Sequence, residues 1–324
     1  MKNKILEIKN LSVSFSGDNS GTENIKAVHN LNLDVYEDEI LGIVGESGSG
    51  KTVTAYSVLG LVSEPPGITE SGEILYRGAD LRKLSFEEMR KYRGREISMI
   101  FQEPGTALNP VMTIKSQLYE TFASHGKYTK DELREKAVEL LKSTGIPDPE
   151  KRISDYPGSL SGGMQQRVMI AMALACNPSL LIADEPTTSL DVTVQAQILE
   201  LIRKLKTEKK ISSVILITHN MGIIAEMCDR VAVMYRGRIL EQASVKNLFE
   251  NPMNPYTKAL LDSMPVLGKT ADRELKPLPS ETASGNKGCV FAGRCAQKKD
   301  ICVLTEPELK LHSEEHYIRC HLYE

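Results

Sequence analysis

The stretch EILGIVGESGSGKT, residues 39–52, joins a short apolar run to a glycine-rich loop and then to a segment that can begin a helix. Its second half matches the pattern G-x-x-x-x-G-K-[S/T], in which the backbone N–H groups of the loop surround phosphates. The lysine of this pattern supplies positive charge to the β- and γ-phosphates, and the next hydroxyl coordinates Mg²⁺. The stretch therefore predicts a nucleotide-binding strand–loop–helix unit. Its predicted binding residues are Gly45, Glu46, Ser47, Gly48, Ser49, Gly50, Lys51 and Thr52.

Two adjacent acidic residues end another apolar run, LLIADE at residues 180–185. Because neighbouring side chains of a strand point in opposite directions, Asp184 and Glu185 are expected to have different tasks. Asp184 is placed to hold Mg²⁺, directly or through water, and Glu185 is placed to polarise an attacking water. Beside a phosphate-binding loop, this pair predicts nucleotide hydrolysis.

Two more polar residues also end apolar strands. His219 ends the run VILITH, and Gln102 ends the run ISMIFQ. Residues at the carboxyl ends of parallel strands meet at one edge of the sheet. His219 is therefore expected to reach the γ-phosphate, and Gln102 is expected to approach the metal and the attacking water. A lone histidine is more often structural, so the prediction for His219 depends on this shared edge.

The order of predicted elements gives the fold class and the domains. Strands that alternate with helices predict an α/β fold with a parallel sheet. Residues 1–35 alternate apolar and polar side chains and are predicted to form strands, whereas the block at about 104–178 is helical and predicts an inserted lobe. Periodicity then fades, and the stretch 266–288 predicts an irregular connection. We therefore expect a nucleotide-binding domain at 1–250 and a smaller extension at 251–324.

Composition narrows the possible functions. The chain has 324 residues and a formal charge of −3, which gives no reason to expect a nucleic-acid partner. Its longest apolar runs, such as VMIAMALAC at 168–176, are far shorter than the roughly 20 residues of a membrane-spanning helix. The N-terminal residues also lack the pattern of a secretory signal. We expect a cytosolic protein that does not cross the bilayer.

The segment LSGGMQQR, residues 160–167, predicts a second anion-binding helix start. It contains no acid, histidine or cysteine, and Ser161 can cap a helix whose first backbone N–H groups have no partner within the helix. The phosphate-binding loop already provides one cradle. The sequence therefore raises the question of whether the two cradles serve the same nucleotide.

The ordered motifs GESGSGKT, MIFQEP, LSGGMQQR, LLIADE, TTSLD and ITHN resemble those of the ATP-binding subunits of ABC transporters, over residues 1–250. The resemblance implies a P-loop NTPase fold with an antiparallel β subdomain and an inserted helical lobe. It also implies that two such subunits associate head to tail. The LSGGMQQR helix of one subunit then covers the γ-phosphate of the ATP held by the other, so the two cradles of this chain would serve different ATP molecules.

The same resemblance assigns roles to individual residues. Those implied to act on the subunit's own ATP are Lys51, Thr52, Gln102, Asp184, Glu185 and His219, and Mg²⁺ would be held by Thr52, Gln102 and Asp184. Those implied to bind the partner's ATP are Ser161, Gly162, Gly163 and Gln165. Asp191 resembles the residue that connects the two sites. Phe15 stands where the family places an aromatic ring against adenine, although Tyr is commoner there.

The C-terminal extension contains a group of four cysteines, Cys289, Cys295, Cys302 and Cys320. In a reducing compartment such a group suggests a metal before a disulfide. The group has no C-x-x-C pair, which disfavours a zinc ribbon. The residues alone leave an iron–sulfur cluster, zinc and free thiols open.

The extension resembles that of one branch of ABC importers, the oligopeptide, dipeptide and nickel permease ATPases. The segment NPMNPYTKALLDSMP, residues 251–265, is similar to the Pro-Tyr-Thr element of this branch, with Asn254 at a position where histidine is common. The branch associates its four cysteines with a [4Fe–4S] cluster, and all four positions match. The resemblance thus implies such a cluster, which would fold the short extension rather than transfer electrons.

The resemblance also implies a set of partners. They are a homologous second ATPase subunit, two transmembrane permease subunits and an extracytoplasmic peptide-binding protein, and this subunit would lie at the cytoplasmic face of the membrane. The expected function is ATP hydrolysis that powers the import of oligopeptides or dipeptides. A nickel importer is the alternative within the branch. A soluble ABC ATPase of iron–sulfur assembly, an ATPase acting on DNA or ribosomes and a non-catalytic subunit fit the sequence less well.

Overall fold

The computed structural model describes residues 3–17, 24–188, 190–263 and 287–324. The irregular connection predicted at 266–288 lies almost wholly outside these residues. Within them the chain forms two β-sheets with helices packed around them. The predicted α/β P-loop fold, with its antiparallel β subdomain, is confirmed.

An eight-stranded sheet forms the centre of the molecule, in the order β11-β12-β10-β9-β3-β8-β7-β6. The strands from β9 to β6 in this order are parallel, and β10, β12 and β11 extend them as an antiparallel edge. Every residue of β3, β7 and β8 is buried, because other elements cover both faces of the sheet, and this explains their unbroken apolar runs. The strands are β3 (Ile40–Val44), β6 (Ile97–Ile100), β7 (Leu180–Asp184), β8 (Ser213–Thr218), β9 (Arg230–Tyr235), β10 (Arg238–Ser244), β11 (Lys310–Ser313) and β12 (His316–Ile318).

A four-stranded antiparallel sheet packs beside the P-loop. Its order is β2-β1-β4-β5, from the strands β1 (Lys4–Phe15), β2 (Ile25–Tyr36), β4 (Gly67–Tyr76) and β5 (Ala79–Asp80). One face of β1 and β2 contributes buried residues to the same apolar core as β3, which fixes this sheet to the central one. The N–H of His29 on β2 also donates to the carbonyl of Gly237, in the turn between β9 and β10.

The stretch between Pro104 and Leu174 is helical and has an apolar core of its own. Capping defines its helix starts: Thr129 accepts from the N–H of Glu132, whose carboxylate accepts from the backbone N–H of Thr129. This reciprocal pair is a capping box. The helices are α3 (Pro104–Ala107), α4 (Ile114–Ala123), α5 (Lys130–Ser143), α6 (Pro149–Arg152) and α7 (Gly162–Leu174).

The other helices connect the strands or belong to the C-terminal part. They are α1 (Lys51–Val58), α2 (Phe86–Met89), α8 (Val192–Thr207), α9 (Met221–Met227), α10 (Val245–Glu250), α11 (Pro255–Asp262) and α12 (Ile301–Leu304). The domain boundary proposed near residue 250 lies between α10 and α11. Beyond it, β12 pairs with β10, so the C-terminal part completes the central sheet.

None of the helices in the described part of the chain is both long enough and apolar enough to span a membrane.

The C-terminal part is held to β10 by buried hydrogen bonds. Glu241 on β10 accepts from the backbone N–H groups of Met253 and Asn254 at 2.8 and 3.0 Å, and its Oε1 lies 2.7 Å from Nε2 of His316. Asn254 caps α11 and donates to the carbonyls of Leu240 and Arg319. Asn254, which stands where the branch commonly has histidine, therefore caps α11 and links it to β10 and to the C-terminal segment at Arg319.

Candidate functional site

The P-loop lies between β3 and α1, at the carboxyl end of the central sheet. Gly48 and Gly50 have φ values of 77° and 99°, which favour glycine. A side chain at Gly45 would place its Cβ 2.1 Å from the carbonyl oxygen of Met234, so this position also excludes other residues. No side chain caps α1. Its first N–H groups are therefore not occupied by a side-chain cap, which suits the binding of an anion at this helix start.

Lys51 is enclosed by its own loop. Only 5% of the residue is exposed, and its Nζ donates to the carbonyl oxygens of Gly45 and Glu46 at 2.8 and 3.0 Å. Burial lowers the pKa of Lys51, and the charges of Glu185 and Asp184 act in the opposite direction. The lysine thus lies within electrostatic range of both strand-end acids predicted from the sequence.

Asp184 is a buried carboxylate without a hydrogen-bond partner. It ends β7, it is 1% exposed, and neither of its oxygens has a partner in hydrogen-bonding geometry. Burial raises the pKa of Asp184, while the nearby Thr52 hydroxyl and the charge of Lys51 oppose this increase. A buried unpaired carboxylate is costly unless a cation compensates it. Asp184 and Thr52 together therefore fit a Mg²⁺ ion, which prefers oxygen ligands.

Glu185 is the point at which the predicted catalytic residues meet. Its Oε2 lies 3.4 Å from Nε2 of Gln102 and 3.2 Å from Nδ1 of His219, and it accepts from the hydroxyl of Thr188 at 2.9 Å. Its backbone has a φ of 44°, a strained value for a non-glycine residue that turns the chain sharply after β7. Thr188 was missed by the sequence analysis, although it lies within the quoted motif TTSLD.

The LSGGMQQR segment forms the start of α7. Ser161 caps this helix by accepting from the N–H of Met164, and both Ser161 and Gly162 are exposed. A Cβ on Gly163 would lie 2.9 Å from the side chain of Val194 at the start of α8, so this glycine permits close packing of the two helices. This segment packs against α8, and its exposed residues Ser161 and Gly162 are accessible to a second molecule.

Two residues assigned from the resemblance have structural partners within the chain. The amide of Gln165 donates to the carbonyls of Pro157 and Leu160 at 2.9 and 3.3 Å, and so holds the loop before α7. Asp191 caps α8 by accepting from the N–H groups of Thr193 and Val194, both at 3.0 Å. Their roles towards nucleotide and partner stay predictions.

Phe15 lies at the end of β1, where it is half-buried against the core shared by the two sheets. Within that core it packs beside Gly67 on the neighbouring strand. This position is that of an ordinary residue at the end of an interior strand. Its predicted contact with adenine stays a prediction.

The four C-terminal cysteines converge without surrounding a single ion. Cys302 is buried, the other three are half-buried, and the N–H of Cys289 donates to the carbonyl of Cys302 at 2.8 Å. Burial raises the pKa of Cys289 to about 11, and the other three thiols act on it in the same direction. In the described ranges, however, no three His, Cys, Asp or Glu side chains are grouped to hold a metal ion. The predicted [4Fe–4S] cluster therefore has no direct support.

Two family models match the chain. The model described as "ABC transporter" matches residues 28–188, and the model described as "Oligopeptide/dipeptide transporter, C-terminal region" matches residues 240–302. The second match covers most of β10, all of α11 and the first three cysteines of the group.

Curated relatives match nearly the whole chain. The oligopeptide transport ATP-binding protein OppD of Bacillus subtilis is 48% identical over 98% of this chain and 88% of its own length. The dipeptide transport ATP-binding protein DppD of the same organism is 46% identical over 98% of this chain and 95% of its own length. The similarity thus includes the C-terminal part.

Solved structures match the nucleotide-binding part. The ATP-binding cassette MJ0796, in a dimeric post-hydrolysis state bound to ADP and Pi, has a TM-score of 0.65 and 29% identity. The match covers 74% of this chain and 98% of that one. The cbiO1 protein of Clostridium perfringens, part of the transporter complex cbiONQ, has a TM-score of 0.63 and 28% identity over 77% of this chain and 92% of its own.

Proposed function

The chain belongs to the ATP-binding subunits of oligopeptide and dipeptide ABC transporters, and on this premise we propose that it closes around ATP together with a second, homologous ATPase subunit to drive peptide import. It is an ATPase that powers an ABC importer for oligopeptides or dipeptides. The convergence of Gln102, Thr188 and His219 on one oxygen of Glu185 is the observation that carries the catalytic proposal.

In the proposed reaction, the ammonium group of Lys51 first exchanges its hydrogen-bond partners in the loop for the phosphates of ATP. Its Nζ leaves the carbonyls of Gly45 and Glu46 and binds β- and γ-phosphate oxygens, while the N–H groups at the start of α1 bind the adjacent phosphate. Thr52, Asp184 and Gln102 would hold Mg²⁺, which when bound supplies positive charge to the phosphate oxygens.

The carboxylate of Glu185 accepts a proton from the attacking water as the general base. Thr188 restricts this carboxylate by donating to its Oε2. The side chains of Gln102 and His219 contact the same oxygen. His219 is 60% exposed, so its ring is accessible to a γ-phosphate at this edge of the sheet. These three neighbours align the base and the water for in-line attack.

The second half of the composite site is proposed to come from the partner subunit. Ser161, Gly162 and Gly163 lie at an exposed helix start that packs on α8, and they would cover the γ-phosphate of the ATP bound by the partner. The dimeric form of the similar cassette MJ0796 supports this arrangement. Asp191, which caps α8 beside Gly163, would connect the two sites.

The remaining components of the transporter are inferred from the family. We propose that the complex contains two transmembrane permease subunits, that an extracytoplasmic protein delivers the peptide, and that this chain lies at the cytoplasmic face. The names of the relatives favour peptides over nickel as cargo, and they disfavour a role in iron–sulfur assembly.

Purification of the tagged chain from detergent-solubilised membranes tests this proposal. Mass spectrometry is expected to find one homologous ATPase and two membrane proteins in amounts equal to the bait, and ATP hydrolysis should increase when peptide-loaded binding protein is added. Recovery of the chain as a homodimer alone, or with ribosomal or scaffold proteins, would contradict the proposed complex.

We also propose that Cys289, Cys295, Cys302 and Cys320 hold a [4Fe–4S] cluster. The support is that all four cysteine positions match the pattern of this branch, and that the partly buried thiols lie close enough to act electrostatically on one another.

Anaerobic purification followed by metal and sulfide analysis tests this second proposal. About four irons and four acid-labile sulfides per chain are expected. Cys302→Ser should lose most of both, whereas Cys176→Ser, outside the group of four, should retain them. Stoichiometric zinc without sulfide, or no metal at all, would refute the cluster.

A further inference from the structure

Glu46, the second residue of the P-loop, has two separate contacts with the C-terminal part of the chain. Its backbone N–H donates to the hydroxyl of Tyr256 at 3.1 Å. Its two carboxylate oxygens accept from Nη1 of Arg294 at 3.0 and 2.9 Å. Both the main chain and the side chain of this loop residue are therefore held by residues that lie more than two hundred positions away in the sequence.

The residues that hold Glu46 are themselves fixed by packing. The rings of Tyr235, Tyr256 and Phe291 form an aromatic cluster with centroid distances of 4.7–5.5 Å, and all three residues are buried. The Arg294 guanidinium lies 5.7 Å from the Tyr235 ring centroid and 6.0 Å from that of Phe291, and it also donates to the Tyr235 hydroxyl. The aromatic cluster thus joins β9, α11 and the cysteine segment into one support.

The same peptide unit also contacts the phosphate-binding lysine. The carbonyl of Glu46 accepts from Nζ of Lys51 at 3.0 Å, while its N–H is occupied by Tyr256. Any shift of Glu46 therefore moves an acceptor of Lys51 and changes the path of the loop towards Ser47. Because the Glu46 N–H already has a partner, the phosphates are left with the N–H groups further along the loop.

We propose that Arg294 and Tyr256 are positioning residues for the P-loop, acting through Glu46, so that the C-terminal part of the chain sets its affinity for ATP. The inference rests on ATP binding at the P-loop, and it adds a role for the C-terminal part within the nucleotide site itself. The ion pair is partly sheltered, with 12% of the Arg294 side chain and 34% of the Glu46 side chain exposed. It therefore keeps more of its strength than a fully exposed pair does.

Three substitutions remove single parts of this support. Arg294→Ala removes the cation, Tyr256→Phe removes one hydroxyl and retains the ring, and Glu46→Gln removes the negative charge. In the assembled complex each is expected to raise the KM and the Kd for ATP by about three- to tenfold, with kcat changed by less than about twofold. Arg294→Lys should restore part of the affinity, because a cation remains near Glu46.

A double-substitution cycle and a matched control separate this role from a general loss of folding. Arg294→Ala combined with Glu46→Gln should cost less than the sum of the two single changes, since both weaken the same ion pair. Lys299→Ala is the control, because Lys299 lies in the same cysteine segment and donates to the carbonyl of His321 instead. It should leave the KM for ATP unchanged.

Two results would overturn the inference. One is an unchanged Kd for ATP in Arg294→Ala, Tyr256→Phe and Glu46→Gln. The other is an equal loss of affinity in Lys299→Ala, which would indicate disturbance of the whole segment. Failure of the proposed function is distinguishable, because it would appear in the unsubstituted complex as absent ATP hydrolysis or absent permease partners.

Discussion

Replacing Glu185 by glutamine is expected to retain ATP binding but to slow hydrolysis by about 10²–10⁴-fold, the usual contribution of a general base. Glutamine has nearly the same shape and can keep contacts with Thr188, Gln102 and His219 around the Oε2 position. It cannot accept a proton from water. The change therefore removes the chemical step and leaves the neighbours and the P-loop in place.

The measurement for Glu185→Gln is single-site turnover, with nucleotide binding measured in parallel. Because the partner's composite site can hydrolyse ATP independently, the complex should carry an inactivating substitution at that other site. Glu208→Gln, an exposed glutamate at the end of α8, is the matched control and should leave turnover unchanged. Unaltered hydrolysis in the Glu185→Gln complex would exclude this residue as the base.

Replacing Lys51 by alanine is expected to weaken ATP binding by at least about a hundredfold, which corresponds to about 3 kcal/mol. Asp184 and Glu185 both act electrostatically on the position of the Lys51 ammonium group. Without Lys51, these two negative charges would repel the triphosphate. The lysine is also almost fully enclosed by the loop, which holds its ammonium group at this position.

Titration of the purified complex with a fluorescent ATP analogue measures this effect. Lys51→Arg should not restore binding, because a planar guanidinium does not fit an enclosure shaped for a slender ammonium. Lys206→Ala, which removes a lysine that donates to the carbonyl of Asp38, is the control and should bind ATP normally. A Kd within threefold of the unsubstituted value in Lys51→Ala would contradict the role of this lysine.

The central strands and the phosphate loop could be predicted from the sequence because their signals are local. Strands β3, β7 and β8 are buried on both faces, and so their sequences are unbroken apolar runs. The polar residues that end them could then be assigned to one edge of the sheet. The structure brings Gln102, Glu185 and His219 together at this edge.

Other features depend on contacts between distant segments, for which no local pattern exists. The support of Glu46 by Tyr256 and Arg294 joins residues 210 and 248 positions apart. Strands β11 and β12 are only four and three residues long and become strands because β12 pairs with β10 and β11 pairs with β12. The left-handed backbone of Glu185 likewise arises from the tertiary turn after β7 and not from a glycine.

The structure of the Glu185→Gln complex trapped with ATP and Mg²⁺ tests the central claim most directly. The account predicts that the γ-phosphate of the ATP bound by Lys51 of this chain is covered by the other ATPase subunit, through the serine that corresponds to Ser161. Ser161 of this chain should cover the other subunit's ATP in the same way. An ATP molecule enclosed by Lys51 and Ser161 of one and the same chain would contradict the account.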